Sequence, residues 1–343
     1  MQEKKNVTFS DIAKYTHFSK TTISRYFNNP DSLTLENQKI ISDALIKLNY
    51  KENKVARSLA NGNTEFIGII VPNMFNSYYS EVLNQILATY ETFGYKFLVF
   101  SGNENEDIER QYIQELLSYK IEGMIILSYT IPSEELASYN IPIVTIERED
   151  KYVCSVNTDN YMGAIQAASL LARQQCDILI HLNSYFPDDR PAYGRIRGFK
   201  DFCEEHSLNY QIIYKDLGSA YETTHRTISA FFDKMEAEYQ GQKKGIFISG
   251  DTYANVLLNI IVRKYGSLPD DYLIIGFDNS PVSAESVYPL TTVGQQIDKL
   301  AYEAVSLLVE QMKERKKRKP VPLKEPVHKV ITPVLVRRET TGE

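Results

Sequence analysis

The chain has 343 residues, of which 43% are hydrophobic, and its formal net charge is −6. This length and apolar content exceed one small domain and provide for two or three compact units. No stretch approaches the roughly 18 uninterrupted apolar residues of a membrane span, and the N-terminus lacks the apolar run of a signal peptide. We therefore expect a globular, multi-domain, cytoplasmic protein without a membrane segment.

Metal centres and common catalytic motifs are not indicated. The three cysteines, Cys154, Cys176 and Cys203, lie far apart without a CxxC pair, and the five histidines are equally scattered. Reduced structural thiols are therefore favoured over disulfides or a zinc site. No GxGxxG follows a strand, and neither GxxxxGK[ST] nor GxSxG occurs, so we predict no enzyme, no catalytic residue and no cofactor.

The net charge is unevenly distributed along the chain. Residues 1–63 contain ten Lys and Arg against six Asp and Glu, a net charge of +4, so residues 64–343 carry −10. A mildly basic N-terminal segment suits a module that contacts phosphates. The acidity of the whole chain is thus no argument against nucleic-acid binding by this segment.

Three short helices are predicted in the N-terminal segment. Thr8 begins a capping box before a helix from about Phe9 to Thr16. Ser19 is a suitable N-cap for a second helix, about Lys20 to Phe27, and Thr34 is one for a third. A helix-turn-helix is one interpretation, and a small bundle with a solvated polar face is the other.

The second and third helices are amphipathic. Ile23 and Phe27 are spaced i, i+4 and share the buried face of the second helix. The third helix repeats apolar residues at Ile41, Ala44, Leu45 and Leu48. The residues of the second helix left pointing outward are Lys20, Thr21, Ser24 and Arg25.

From Glu65 onward, apolar runs rich in β-forming residues alternate with helical segments. The runs are "FIGIIVP", "YKFLVFSG", "GMIILS", "PIVTIE", "DILIHLN", "YQIIYKD", "GIFISGD" and "YLIIGFD". Strands that are apolar throughout and alternate with helices predict parallel sheets covered on both faces. Their number indicates two doubly wound subdomains, in which ligands bind at the carboxyl ends of the strands.

Polar side chains follow the predicted strands at these carboxyl ends. They are Asn73, Ser128, Tyr129, Glu147, Arg148, Asp251, Asp278 and Asn279. Carboxylates accept hydrogen bonds from neighbouring hydroxyls, Arg donates to oxygens, and aromatic faces cover the apolar side of a sugar. Their convergence predicts a polyol site, although each residue alone could equally cap a helix.

Two stretches, "VTFSDIAKYTHFSKTTISRYFNN" and "LNYKENKVARSLANGNTEFIGIIVP", resemble the N-terminal signature of the lac and galactose repressor (LacI/GalR) family of bacterial transcription regulators. The resemblance continues through "LPDDYLIIGFDNSPVSAESVYPLTTVGQQ" to "ITPVLVRRETTGE". It implies an all-α helix-turn-helix DNA-binding head and a periplasmic-binding-protein-like α/β core of two doubly wound subdomains. The implied boundaries are 1–51 for the head, 52–64 for the hinge helix and linker, 65–343 for the effector-binding core, about 65–160 and 292–325 for its N-subdomain, and about 161–291 and 326–343 for its C-subdomain.

The resemblance implies DNA contacts in the head and the hinge. The family's base-reading positions fall on Lys20 and Thr21, with Arg25 one turn further, and Lys and Arg suit the acceptors of guanine in the major groove. In the hinge "NKVARSLANG", Asn53 and Leu59 are implied DNA contacts. Leu59 would be a wedge in the minor groove, with an ordinary interdomain contact as the alternative. The positions that would contact phosphates or cap helices are Thr8, Ser19, Thr22 and Ser24.

The resemblance also implies effector-binding residues in the core. The family's effector arginine falls on Arg195, and the aspartates that follow two of its strands fall on Asp251 and Asp278. With the strand-end and aromatic positions, the predicted set is Asn73, Tyr78, Tyr79, Ser128, Arg148, Arg195, Asp251 and Asp278. The expected effector is a sugar or a sugar phosphate, with no metal.

Three features depart from the family pattern. The turn of the helix-turn-helix has His17 where members usually have Gly, so a positive φ there would bear strain and we expect a shifted turn or a modest loss of stability. Gly250 replaces an Asn and removes one amide ligand. The first crossover reads Asn-Ser-Tyr-Tyr at 76–79, whose tyrosines offer stacking and hydroxyl contacts.

Two clusters of basic residues leave alternatives open. Arg190, Arg195 and Arg197 lie close together in "DDRPAYGRIRGF", which fits a phosphorylated sugar or, equally, surface ion pairs with the preceding aspartates, Asp188 and Asp189. The run "KERKKRK" at 313–319 follows an amphipathic helix. A solvated loop is favoured there over a second nucleic-acid contact.

The sequence as a whole predicts a sequence-specific transcriptional repressor of carbohydrate-utilisation genes. Its expected partners are palindromic double-stranded operator DNA, a second copy of the chain and a small effector that acts allosterically. No heptad repeat follows "RRETTGE", so a dimer is expected in preference to a coiled-coil tetramer. The rivals are an enzyme and a non-DNA-binding sugar receptor of the same core fold, which in transport would need export.

Overall fold

The structure is a computed structural model that describes residues 7–52, 63–149, 151–184 and 187–342. It divides into two units, residues 1–63 and residues 64–343, and each is described by itself. The predicted hinge from Asn53 to Gly62 lies outside the described residues, and so do its implied DNA contacts Asn53 and Leu59.

The described residues of the N-terminal unit form three α-helices around a small apolar core. The helices are α1 Phe9–Thr16, α2 Lys20–Asn28 and α3 Leu35–Lys47, with a short 3-10 turn at Pro30–Ser32 between α2 and α3. Ile12, Ile23 and Ile41, one from each helix, are fully buried together. The predicted first two helices agree with these bounds to within one residue, because their caps and apolar spacing are both local signals.

The predicted caps of these helices make hydrogen bonds. The Ser19 hydroxyl accepts from the backbone N–H of Thr22 at 3.0 Å, and the Thr34 hydroxyl accepts from that of Asn37 at 3.3 Å. At the start of α1, Oδ2 of Asp11 accepts from the backbone N–H of Thr8 at 2.9 Å. These bonds satisfy amides that the first helical turn leaves without a partner.

His17 ends α1 in the left-handed region, with φ 57° and ψ 21°. The turn is therefore not shifted, since both flanking helices keep their predicted positions and His17 itself takes the positive φ. A side chain in this region costs conformational energy that glycine does not incur. The predicted stability cost at His17 thus has a geometric basis.

The C-terminal unit contains two six-stranded sheets. The first sheet has the order β11-β5-β4-β3-β1-β2 and is parallel throughout. Its strands are β1 Phe66–Val71, β2 Lys96–Ser101, β3 Gly123–Ile126, β4 Ile143–Ile146, β5 Cys154–Thr158 and β11 His328–Ile331. The second sheet has the order β12-β10-β9-β8-β6-β7, with only β12 antiparallel. Its strands are β6 Ile178–Asn183, β7 Tyr210–Tyr214, β8 Lys244–Ile248, β9 Tyr272–Asp278, β10 Thr291–Gly294 and β12 Val334–Val336.

Helices cover both faces of each sheet. They are α4 Ser77–Ala88, α5 Tyr90–Phe93, α6 Glu106–Ser118, α7 Ser133–Ser138, α8 Asn160–Arg173, α9 Tyr193–Glu205, α10 Tyr221–Glu238, α11 Asp251–Tyr265, α12 Pro281–Glu285 and α13 Ile297–Arg315. In β1, Ile67 and Ile69 pack on one side with α13, whereas Ile70 packs on the other side with α6. Strands buried on both faces need apolar residues at every position, which explains the unbroken runs.

The chain crosses between the two sheets three times. The crossings lie between Thr158 and Asn160, between Gly294 and Ile297, and between Ile331 and Val334. The predicted subdomain breaks at about 291/292 and 325/326 were therefore wrong by several residues. β10 pairs with β9 and so stays in the second sheet, and β11 pairs with β5 and so belongs to the first.

Candidate nucleic-acid interface and effector cavity

Helix α2 presents a polar face to solvent. Its inward residue Ile23 is fully buried, while Lys20, Thr21 and Arg25 are exposed. Neither the Lys20 nor the Arg25 side chain makes an ion pair or a hydrogen bond with the residues that the structure describes. Both cationic groups are therefore available to a partner, and base reading by these residues stays a prediction.

The four hydroxyl residues predicted to contact phosphates or cap helices differ in their local roles. Thr8 and Ser19 act at helix N-termini, as described above, and the Thr22 hydroxyl lies 2.9 Å from that of Ser19. The Ser24 hydroxyl accepts from the side-chain amide of Asn28 at 3.1 Å. Capping thus accounts for Thr8 and Ser19, and phosphate contact remains a prediction for all four.

A cavity of about 630 Å³ lies between the carboxyl ends of the two sheets. Its wall includes six of the eight predicted effector residues: Asn73, Tyr78, Tyr79, Ser128, Arg195 and Asp278. The first four follow strands of the first sheet or belong to α4, and the last two come from the second sheet's side. The topology therefore brings residues up to 205 positions apart into one wall, as expected for doubly wound sheets.

Arg148 and Asp251 do not line this cavity. The Arg148 guanidinium turns toward backbone carbonyls and donates to Ser128 O at 3.2 Å and Ile131 O at 2.6 Å. Asp251 is fully buried below the wall, where Ser280 and Thr292 donate to its carboxylate at 2.6 to 3.1 Å. Both residues support strand-end loops whose neighbours form the wall.

Arg195 is the cation at the floor of the cavity. Its Nε donates to Asn160 Oδ1 at 2.7 Å, and its Nη1 donates to Ser249 O at 2.5 Å. The guanidinium carbon lies 3.8 Å from the ring centroid of Phe277, a distance suited to a cation–π contact. These three partners fix the guanidinium plane, which helps an arginine to bind hydroxyl oxygens with a defined geometry.

A chain of hydrogen bonds continues from Arg195 across the first crossing. The Asn160 amide donates to Glu147 Oε2 at 2.7 Å, and Glu147 Oε1 accepts from the backbone N–H of Thr158 at 2.5 Å. The Thr158 hydroxyl donates to Gln295, which donates in turn to Asp278. The floor is therefore one connected network that spans two of the three crossings.

Burial controls the protonation of Asp278 in the cavity wall and of Asp251 beneath it. It raises the pKa of Asp278 well above its ordinary value, against the opposing effect of Arg195. Burial likewise raises the pKa of Asp251, whose hydrogen bonds from Thr292 and Ser280 work in the opposite direction. The two carboxyls also disfavour each other's ionisation, so the pair holds a proton more readily than exposed carboxyls do.

The charges of the cavity wall are mostly negative. Two guanidiniums, Arg190 and Arg195, face three carboxylates, Glu104, Glu147 and Asp216, and the carboxyl of Asp278, whose raised pKa favours its protonated form. Arg190 lies over the ring of Tyr129, with 4.3 Å from its guanidinium carbon to the centroid. Arg197 lines a different cavity, so the three arginines that are close in sequence do not converge on one anion.

Tyr78 contributes a polar group that lacks an internal partner. Its side chain is only 6% exposed, and its hydroxyl has no hydrogen-bond partner among the described residues. Burial raises the pKa of this hydroxyl well above its ordinary value, so it stays protonated and able to donate. A buried hydroxyl without a partner is costly, which makes it a candidate contact for a ligand.

Several wall and floor residues were absent from the predicted set. They are Asn76, Glu104, Thr130, Glu147, Asn160, Asp216, Ser249, Tyr253 and Gln295. Glu104 and Asp216 follow strands, so their position after "YKFLVFSG" and "YQIIYK" was a usable signal. Asn160 and Gln295 act at crossings, and no local pattern marked them.

Comparison with known proteins agrees with this arrangement. A family model described as "Periplasmic binding proteins and sugar binding domain of LacI family" matches residues 64–223, and one described as "Periplasmic binding protein-like domain" matches residues 168–341. The chain belongs to the LacI family. The resemblance is thereby confirmed for residues 64–341, and the helices between residues 9 and 47 are consistent with the helical head of the LacI-family fold.

Individual relatives of this LacI-family chain are operon repressors. The "Ribose operon repressor" of Halalkalibacterium halodurans is 28% identical over 339 residues, which cover 98% of this chain and 97% of the relative. The "Sucrose operon repressor" of Streptococcus mutans is 27% identical, covering 88% and 92%. The lac repressor dimer bound to operator and the anti-inducer ONPF shares the fold, with a TM-score of 0.78 at 19% identity, covering 99% of this chain and all of that one.

No helix within the described ranges is long and apolar enough to span a bilayer. Within the same ranges, no group of three or more His, Cys, Asp or Glu side chains is arranged to hold a metal ion.

Proposed function

We propose that the chain is a sequence-specific DNA-binding repressor of carbohydrate-utilisation genes whose operator affinity depends on a sugar bound in the core cavity. The observation that carries the proposal is the presence, in one chain, of an exposed Lys20-Thr21-Arg25 face on α2 and a polar cavity between two sheets. The relatives named as ribose and sucrose operon repressors support this function. A sugar receptor that does not bind DNA would leave the basic helix-turn-helix without a role.

We assign three roles along the chain. Residues 1–51 bind DNA, and residues 65–343 bind the effector. Residues 52–64 connect these two parts and would bring Asn53 and Leu59 to the minor groove. Two copies of the head would read the two half-sites of a palindrome, since a two-fold protein axis matches a two-fold DNA site. In the head, Lys20, Thr21 and Arg25 read bases.

The charge of the cavity wall supports a neutral sugar over a sugar phosphate as the effector. A phosphate would bring up to two negative charges beside three carboxylates and the Asp278 carboxyl, with only two guanidiniums in the wall. Hydroxyl groups can donate to these carboxylates and accept from Arg195 and from the Tyr78 hydroxyl. Asn73, Tyr79, Ser128 and Asp278 complete the proposed contacts, with Arg148 and Asp251 in supporting positions.

Control of the operator requires that the effector bind one arrangement of the two subdomains better than another. The cavity wall comes from both sheets, and only three crossings join them. An effector that contacts both walls would therefore favour the arrangement in which the walls are close. The hinge sequence ends at Gly62, four residues before β1 begins, so we propose that a change at the first sheet reaches the segment that leads to the head.

DNA reading is tested by selecting a duplex from a random library with the full-length protein and measuring its affinity for single-base variants. Substitution of Arg25 by Ala should cost about 1 to 3 kcal/mol at particular base pairs, because the variant cannot make a bidentate contact to a base. Lys39→Ala, at an exposed position of α3, is the control. A uniform reduction across all base pairs would assign Arg25 to phosphate contact, and failure to select any duplex would refute the repressor function.

Effector binding is tested by calorimetry of the full-length protein against a panel of sugars and their phosphates. Neutral sugars should bind, and Arg195→Ala should abolish the heat of binding by removing the fixed donor at the floor. Arg197→Ala, which lies outside the cavity, is the matched control. Binding of sugar phosphates alone would overturn the preference for a neutral ligand.

A further inference from the structure

The segment 313–319, "KERKKRK", is the most concentrated positive charge in the core. It contains six cations and one carboxylate, a net charge of +5, so the remainder of residues 64–343 carries −15. The segment begins in the last turn of α13 and continues into a loop, and every residue from 315 to 325 is exposed. Its exposure agrees with the loop that the sequence favoured.

The structure places this basic segment at the amino end of the first sheet. Nζ of Lys316 pairs with Oε2 of Glu122 at 2.5 Å, and Oε1 of Glu122 accepts from the backbone N–H of Glu65 at 2.9 Å. The Thr64 hydroxyl donates to Lys120 O at 2.6 Å in the same region. Thr64 and Glu65 are the residues that lead into β1, so the basic segment lies beside the place where the chain from the head joins the core.

Ion pairs and hydrogen bonds between described residues involve only three of the six cations in this segment. Lys316 and Lys317 form ion pairs with Glu122 and Glu314, and Arg315 donates to Asn140. The side chains of Lys313, Arg318 and Lys319 make no ion pair or hydrogen bond with any residue in the described parts of the chain. These three cations are exposed and available to a partner.

We propose that the basic segment contacts phosphates of the duplex held by the head, an inference that rests on the proposed repressor function. The ten residues 53–62 span at most about 36 Å even when fully extended, so the end of the head at residue 52, and with it the head that holds the DNA, is tethered to the place where the chain joins the core. Tethering raises the effective concentration of DNA at that place above that of a free partner. Duplex DNA carries roughly one negative charge per 1.7 Å of its axis.

The position of the segment also reduces the electrostatic repulsion between the acidic core and DNA. A core with a charge of −15 outside this segment repels a polyanion, and at physiological salt the repulsion acts over roughly 8 Å. Cations concentrated at the amino end of the first sheet, where the chain from the head joins the core, offset that repulsion near the bound DNA. Such contacts position a protein on DNA without reading its sequence.

The test compares two triple variants of the full-length protein. K313Q/R318Q/K319Q removes the three unpaired cations, and R173Q/R226Q/K234Q removes three exposed cations from helices α8 and α10 beside the second sheet, so the total charge is matched. Affinity for the duplex selected by the wild-type protein is measured from low to physiological salt. Affinity for a random-sequence duplex of the same length is measured in parallel.

For K313Q/R318Q/K319Q, the slope of log affinity against log salt should become shallower by about 0.9 for each phosphate that the variant no longer binds, up to about 2.7, on both duplexes. The control variant should keep a slope closer to that of the wild type. If both variants keep the wild-type slope while Arg25→Ala still weakens selected DNA, the basic segment makes no DNA contact and the repressor function stands.

Discussion

Gln295 donates a 2.6 Å hydrogen bond from Nε2 to Oδ1 of Asp278, and its Oε1 accepts another of 2.6 Å from the Thr158 hydroxyl. Thr158 ends β5 in the first sheet, whereas Asp278 ends β9 in the second. One fully buried side-chain amide thus joins the two subdomains at the floor of the cavity. An amide suits this place because it donates on one side and accepts on the other.

Substitution of Gln295 by Leu should therefore lower the free energy of unfolding of the core. The change leaves Asp278 and Thr158 without a partner in a buried place, at about 1 to 3 kcal/mol for each group. Urea unfolding followed by circular dichroism measures the decrease. Gln111→Leu, at an exposed position of α6, should change the free energy by no more than about 0.5 kcal/mol.

The same variant separates stability from regulation. If the amide couples the subdomains, Q295L should also change how far the effector shifts operator affinity, measured as the ratio of affinities with and without effector. An unchanged ratio in a destabilised protein would confine Gln295 to a structural role.

Removal of the Tyr78 hydroxyl should affect the free and the effector-bound protein differently. In the free protein the hydroxyl is buried without a partner among the described residues, so Tyr78→Phe should leave thermal stability unchanged or raise it slightly. Effector affinity should fall by about 0.5 to 1.5 kcal/mol, because the ligand loses one hydrogen bond. Tyr112→Phe, whose ring stacks on Phe100 away from the cavity, is the control, and equal affinity of the two variants would exclude Tyr78 as a contact.

Substitution of His17 by Gly should stabilise the head. His17 has a φ of 57°, and glycine adopts this conformation without the steric cost of a Cβ, so a gain of up to about 1 kcal/mol is expected. Thermal unfolding of the full-length chain, monitored by helical circular dichroism, gives the change. Lys14→Gly within α1 should instead be destabilising, because glycine weakens a regular helix. A fall in melting temperature for H17G would contradict the strain assigned to His17.

The buried Asp251 makes core stability depend on pH. Burial raises its pKa to about 7, so the folded protein binds the proton more tightly than the unfolded chain does. The stabilisation from this group is therefore complete below its unfolded pKa near 4 and is lost as pH rises through about 7. Asp251→Asn should flatten the decline of unfolding free energy between pH 5 and 8, at about 1.4 kcal/mol per unit of pKa difference.

Asp270→Asn, at an exposed position, serves as the control for the pH series. It should reproduce the wild-type profile. If D251N and the wild type lose stability in parallel from pH 5 to 8, Asp251 is not the group that titrates.

The sequence was informative where the signals are local. Caps at Thr8, Ser19 and Thr34 defined the helices of the head because capping depends on residues three positions apart. Unbroken apolar runs located the long central strands. The crossings at 294–297 and 331–334 were misplaced because β10, β11 and β12 have only three or four residues, too few to give a distinct strand pattern.

The candidate site was predictable in position but not in detail. Strand ends identified the edge of the sheets, yet the backbone of the following loop decides where each side chain points. Glu147 follows β4 with a φ of 58° and lies in the cavity wall, while its neighbour Arg148 turns to the carbonyls of Ser128 and Ile131. The role of Gln295 depends on a partner 137 residues away in sequence, and no local pattern encodes such a contact.

The triple crossing of the chain also fixes an order of events during synthesis. Helix α13 contributes Leu300, Val305 and Leu308 to the core beneath β1, and β11 completes the edge of the first sheet beside β5. A nascent chain released only as far as β10 has five of that sheet's six strands but lacks its main covering helix. The first sheet, although most of it is translated early, can complete its folding only after five of the second sheet's six strands have been made, so the two subdomains mature together and not one after the other.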